Sequence, residues 1–272
     1  MSPTAVLFDF SATLFDPTRV VDGAGLAARA RGRGSWLDAG TAQRLVDRIL
    51  AHAETDRGRR TRRRCDLSAD EHRRGWVATV TAVPGVTPEI AEAYHDCITD
   101  PARWHPYPDT AATLAALRAA GARVGVVSNC GWDLRAAFRR AGLDRFVDAW
   151  TLSCEHGRQK PDPELFRIAC AALGARPGDA LMVGDDSGAD SGALAAGIPV
   201  LLLPPALPFP APRGLGLVLH LTGLGVPGRV PHDEGEPIRH VTPTADGTAG
   251  HRVEPGPGRL RADRERHHRP AG

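Results

Sequence analysis

Ala5-Val6-Leu7-Phe8-Asp9-Phe10-Ser11-Ala12-Thr13-Leu14 opens with an unbroken apolar run that stops on a carboxylate. A run this short, with no alternation of polar residues, fits a strand covered on both faces, as in a parallel sheet. Similar runs recur at Val124–Val127, Ala149–Leu152, Ala180–Val183 and Pro199–Leu203. Stretches with helical spacing lie between them, at Asp109–Ala120, Trp132–Ala141, Pro163–Leu173 and Ala189–Ala196. Strands alternating with helices imply an α/β fold with a doubly wound parallel sheet. Ligands of such sheets bind beyond the carboxyl ends of the strands, so the residues that follow each run are where chemistry is to be sought.

The sheet does not use the whole chain. About ninety residues, 16–103, separate the first run from the next part of the pattern, too many for a loop in a compact domain. Thr41–Ala53, Glu71–Val80 and Pro88–Ile98 have helical spacing within this stretch, and no alternating strand is evident. The expectation is a helical insert over the strand ends, with residues 1–15 and 104–224 as the core. From Gly225 to Gly272 the chain is rich in Gly, Pro, Arg, His and Asp, with no aromatic residue after Phe209. A segment so poor in apolar surface cannot offset its ordering entropy, so residues 225–272 are expected to be disordered.

Composition narrows the function classes. With 272 residues, 42% of them hydrophobic, and a formal net charge of +2, the chain builds a core but carries no strong field toward nucleic acid or membrane. The basic run Arg57, Arg59, Arg60, Arg62, Arg63 and Arg64 has no interleaved aromatics and reads as a solvated loop or helix end. Five cysteines, none closer than sixteen residues to the next, fit neither a disulfide framework nor a zinc knuckle. They read as reduced thiols of a cytoplasmic protein. No secretory leader or run of eighteen apolar residues is evident. Gly23-Ala24-Gly25 imitates a dinucleotide fingerprint but lacks the preceding strand and following acid. Nothing in the sequence fixes the oligomeric state.

Four segments carry candidate chemistry, three of them at strand ends and one, at Lys160, just before a helix that Pro163 starts. Asp9 follows the first run and is placed to attack phosphorus, although a turn-forming Asp after a strand is the plainer reading of that residue alone. Ser128 and Asn129 end the second, offering a hydroxyl and amides to a phosphoryl oxygen, or serving as ordinary turn residues. Lys160, in Gln159-Lys160-Pro161-Asp162-Pro163, is the only lysine among 34 basic residues. Its compact ammonium suits point-charge contact with phosphoryl and carboxylate oxygens. Asp185 and Asp186 follow the fourth run, with Asp190 further on. Adjacent carboxylates beside Asp9 repel unless a cation sits among them, and an all-oxygen set points to Mg²⁺. For Asp190, a cap at a helix start is an equal alternative.

Together these segments resemble the haloacid dehalogenase-like hydrolase superfamily, whose motifs are an Asp-x-Asp-x-Thr, a Ser or Thr, a Lys, and a Gly-Asp-Asp-x-x-x-Asp. The likeness spans Val6 to about Leu203 in order, with Lys-Pro-Asp-Pro-Glu-Leu-Phe and Ala196-Gly197-Ile198 adding to it. It implies a Rossmann-like core with an inserted α-helical cap, Mg²⁺ as cofactor, and a small phosphorylated substrate hydrolysed through an aspartyl phosphate. By the resemblance Asp9 is nucleophile and metal ligand, Ser128 and Lys160 are phosphoryl binders, Thr13 and Asn129 lie at the substrate, Ser11 offers its carbonyl to the metal, and Asp185 and Asp186 complete the ligands. One position departs. The family's phosphatases use the second aspartate of the first motif as general acid, and here it is Ser11. Losing such a group typically costs on the order of a hundred- to ten-thousand-fold. Asp16 and His105 are candidate substitutes. Rival readings are a metal-independent 2-haloacid dehalogenase, which the Asp185-Asp186 pair argues against, and a phospho-ligand-binding protein of weakened activity.

Overall fold

The computed structural model describes residues 3–224. Its strands are β1 (Ala5–Phe8), β2 (Phe15–Asp16), β3 (His105–Pro106), β4 (Arg123–Ser128), β5 (Ala149–Leu152), β6 (Ala180–Gly184) and β7 (Val200–Leu202). Five of them form one parallel sheet in the order β5-β4-β1-β6-β7, so the strand that opens the chain is its centre. Phe8 lies level with Val126 of β4 and Val183 of β6. The residues after those three positions therefore emerge side by side.

Strand alternation divides the core in two. Val6 and Phe8 face one hydrophobic cluster, with Leu114 and Leu117 of α6 (Thr110–Ala119), Phe138 of α7 (Arg135–Ala141), and Val218 and Leu219 of α10 (Gly216–Leu221). Ala5 and Leu7 face another, with Leu165, Phe166 and Ala169 of α9 (Pro163–Ala172). Helices thus cover both faces of the sheet, in the Rossmann-like arrangement expected. A short α8 (Ser153–His156) follows β5 directly.

Residues 23–98 hold five helices: α1 (Gly23–Gly32), α2 (Ala39–Ala53), α3 (Asp56–Arg62), α4 (Ala69–Thr81) and α5 (Pro88–Ile98). Each begins at a side-chain cap, from Asp22, Asp38, Thr55, Ser68 and Thr87 in turn. A cap of this kind contributes about 1 kcal/mol to its helix. The helices enclose a third cluster, containing Leu26, Ile49, Val80 and Tyr94, with Trp104 packed against both it and the sheet's cluster. β2 and β3 pair antiparallel, Phe15 with Pro106, so both chain passages between sheet and helices run together.

Several expectations need correction. The segment expected as a helix over Ala189–Ala196 is a 3₁₀ run, Asp190–Ala196, since it contains Gly192 and the Asp190 side chain is committed back to the strand end. The Gly23 stretch starts α1, and the basic run, mostly exposed, forms and follows the end of α3, as the solvated helix end among its two readings. Just before α6, the Asp109 carboxylate accepts from the backbone N–H groups of Arg213, Gly214 and Leu215, each at 2.8 Å. α10 was not anticipated. Residues 225–272, expected to be disordered, and their histidines lie outside the described residues. No helix among the described residues is long and apolar enough to cross a membrane.

Candidate active site

Asp9 leaves the end of β1 and is 8% exposed. The chain then turns sharply: Ala12 has φ +54°, and Leu14 and Phe15 both donate their N–H to the Phe10 carbonyl. This tight turn brings Thr13 back beneath the strand end, where it is fully buried and donates its hydroxyl to Asp185 Oδ1 at 3.2 Å. Thr13 is thereby placed as a positioning residue for Asp185, reaching the substrate region through that acid and not through a surface of its own.

Lys160 is 3% exposed, with Nζ 2.8 Å from Asp9 Oδ1 and 2.6 Å from Asp190 Oδ1. Burial alone would pull its pKa down, but the two carboxylates hold it well above the ordinary lysine value. Its backbone is clamped by Asn129, whose Oδ1 accepts from Lys160 N at 2.7 Å while Nδ2 donates to Lys160 O at 3.0 Å. Both functions of the Asn129 amide are thereby engaged in fixing the lysine loop. The sequence placed Asn129 at the substrate, and it does line the adjoining cavity, but the clamp was not foreseen.

Asp190 is fully buried and serves two masters. One oxygen receives Lys160; the other accepts from the N–H groups of Asp185 and Asp186, each at 3.0 Å, pinning the turn after β6. A side chain at Gly184 would put its Cβ 2.0 Å from Asp190 Oδ2, so this approach requires glycine. Asp186 behaves differently from expectation. It is exposed, and its carboxylate accepts from Gly188 N at 2.7 Å and Ala189 N at 3.2 Å, turned onto its own loop. Carboxylate oxygens of Asp9, Asp185 and Asp190 lie within 4.8 Å of one another, and Asp186 is not in this group. The third acid of the cluster is thus Asp190, one turn later in the sequence.

Three carboxylates face one ammonium here. Burial, with Asp190 and Asp185 adding to it and Lys160 opposing, pushes the Asp9 carboxyl up to about 6. Burial and Asp190 also raise Asp185. The set is all oxygen and has more negative charge than Lys160 neutralises, which is the chemistry of a hard divalent cation site. Ser128, 2% exposed, closes β4 beside it.

A cavity of about 530 Å³ lies between the strand-end loops and the helices; it is bounded by Ser11, two residues after Asp9, and by Asn129, which holds Lys160, but not by the acids or the lysine themselves. Ser11, Asn129 and Cys130 form its sheet side, Asp66 and His72 its helical side, and Trp76, Tyr94, Trp104 and Trp132 much of its apolar wall. Neither Asp16 nor His105, the two candidates to replace the missing acid, lines it. Asp16 is 1% exposed, its Oδ1 receiving Thr18 N and Oγ1, and His105 is exposed beside Phe209.

A family model described as haloacid dehalogenase-like hydrolase matches residues 3–197. The chain is 30% identical to a glyceraldehyde 3-phosphate phosphatase of Methanopyrus kandleri over 66% of its own length and 75% of the relative's. It is 38% identical to a phosphoserine phosphatase of Thermus thermophilus over 40% of this chain and 44% of that one. (S)-2-haloacid dehalogenase 4A of Burkholderia cepacia is 35% identical over 30% of this chain and 36% of its own. The chain thus spans less than half the length of several curated relatives that it matches. The crystal structure of a HAD phosphatase from Thermococcus onnurineus shares the fold, with a TM-score of 0.54, 23% identity, and coverage of 82% of this chain and 99% of that one. A matched segment running from the first strand to the turn beyond Asp190 takes in every strand end that meets in the cleft, and on that match the chain belongs to the haloacid dehalogenase-like hydrolases.

Proposed function

We propose that this hydrolase is a magnesium-dependent phosphatase that acts on a small phosphorylated compound through an aspartyl phosphate at Asp9. The observation that supports this reading best is the buried trio Asp9, Asp185 and Asp190, set against a single ammonium. A reaction needing no cation gains nothing from two extra acids beside its nucleophile, and their field adds to burial in raising the Asp9 carboxyl above its ordinary value. Asp9, Asp185 and Asp190, with the Ser11 carbonyl, would hold Mg²⁺; the ion would ionise Asp9 and neutralise charge on the phosphoryl group.

The chain's own residues do the rest. Asp9 Oδ bonds to phosphorus as the ester oxygen departs. Lys160, already paired with Asp9, supplies a fixed positive charge to a phosphoryl oxygen, and the Ser128 hydroxyl is available to another. Thr13 and Asn129 fix Asp185 and Lys160, so the charged groups are in place before the substrate arrives. We read residues 16–103 as a cap whose aromatic wall receives the substrate's apolar body and limits water at the site. Five free cysteines agree with a reducing, cytoplasmic setting.

A panel of phosphate esters, assayed with Mg²⁺ and with chelator, tests this. Phosphate release is expected only with the metal, and Asp9→Asn is expected to abolish it. Activity that survives in Asp9→Asn would overturn the mechanism, and metal-independent halide release from 2-chloropropionate, without phosphate release, would transfer the chain to the dehalogenase reaction.

A further inference from the structure

Position 11 leaves the proposed reaction short of a proton donor, since a serine hydroxyl is a poor acid near neutrality. The cavity supplies another group. Asp66 lines it together with Ser11, Asn129 and Cys130. Its position over the strand ends is fixed by the core: the Ser153 hydroxyl donates to the Asp66 carbonyl at 2.5 Å, and Gln159, next to Lys160, donates through Nε2 to the Arg63 carbonyl at 2.8 Å. The side chain is a quarter exposed, toward the cavity, with Oδ1 3.4 Å from Cys65 Sγ and 3.9 Å from His72 Nε2. Glu54, the other carboxylate of the cavity wall, is 74% exposed and faces Arg59.

We propose that Asp66, carried by the helical layer, delivers the leaving-group proton in place of the acid absent at position 11, an assignment that rests on the phosphatase reading. In the first step Asp9 Oδ bonds to phosphorus, the bond from phosphorus to the ester oxygen breaks, and Asp66 passes its proton to that oxygen, giving the alcohol. In the second, the Asp66 carboxylate takes a proton from water, the water oxygen bonds to phosphorus, and the bond to Asp9 breaks, giving inorganic phosphate. Asp66 is again protonated, and no other reactant is needed.

The surroundings suit an acid. Burial raises the Asp66 carboxyl above the usual carboxylate range, with Cys65, Arg62 and Lys160 opposing to a lesser degree. His72 beside it is held uncharged, its pKa brought down to about 3 by burial and by His95, so it adds no positive charge to ionise Asp66. His72 is itself fixed by a 3.0 Å hydrogen bond between its Nδ1 and His95 Nε2.

Two esters with the same aromatic body separate this role from a structural one. 4-Nitrobenzyl phosphate releases an alkoxide that needs a proton, whereas 4-nitrophenyl phosphate releases a phenolate that does not. With Mg²⁺ saturating, Asp66→Asn is expected to lower kcat on the benzyl ester by on the order of a hundredfold or more, and by a factor about tenfold smaller on the phenyl ester. Asp66→Glu should recover part of the benzyl activity. Equal losses on both esters, or an undiminished benzyl rate, would remove Asp66 from the mechanism while the wild-type rates and an inactive Asp9→Asn keep the phosphatase reading. A wild-type protein that releases phosphate from neither ester overturns both.

Discussion

Asp9 is held in a state that costs the fold stability, and this is measurable. Its carboxyl is pushed up to about 6 by burial, from 3.8 in the unfolded chain. The native state therefore binds the proton more tightly. The stabilisation is complete below 3.8 and is lost as pH rises through 6. In chelator at pH 8, Asp9→Asn should melt a few degrees above wild type, with the difference gone at pH 4 and reduced by saturating Mg²⁺. An advantage that is the same at both pH values would contradict this account. Asp9, Ser128 and Asp185 were legible from sequence because each ends or follows an apolar run, and Lys160 because it is the only lysine. The exchange of Asp186 for Asp190 was not, because it depends on which carboxylate the loop after β6 turns inward, and Gly184 alone records that choice. The backbone clamp of Asn129 on Lys160 joins residues 31 apart and has no local signature.

At the scale of elements, the helical layer rests closely on the sheet at Gly131, in the loop after β4. A Cβ there would stand 2.1 Å from His72 Cβ and 2.6 Å from its Cγ, so α4 can rest on the loop only because residue 131 has no side chain. Gly131→Ala is expected to force the two apart, costing about 1–3 kcal/mol. KM should rise more than kcat falls, since the helical wall shifts while Asp9 and Lys160 stay. A melting temperature and KM unchanged from wild type would show that the contact is dispensable. The parallel strands were readable within a residue or two because a buried strand needs a continuous apolar run. α1 and α3 were not: α1 has one large apolar residue, Leu26, among Gly, Ala and Arg, and α3 consists largely of arginines, so neither displays a strong apolar stripe. Their positions come from Asp22 and Thr55 as caps and from packing against α2 and α4.

Over the whole molecule, the sheet supplies reactive groups and the helices supply a wall, with Trp104 touching both cores. The first of these was visible in the sequence as the order of motifs. Of the second, the helical insert was expected but not the residues of its wall, since the cavity brings Val20, Trp76, Ile98 and Trp132 together across the length of the insert and beyond it. The lysine at the centre of the cleft has a consequence for the molecule in solution. It is the sole side-chain amine in 272 residues, and with its nitrogen enclosed by Asp9 and Asp190 it should react slowly with amine-directed acylating reagents while the protein is folded. Acylation at Lys160, located by peptide mass, should therefore accumulate only as fast as the cleft opens and should slow when Mg²⁺ and phosphate are added. The chain carries its own single-site clock for that opening, with no label to be engineered.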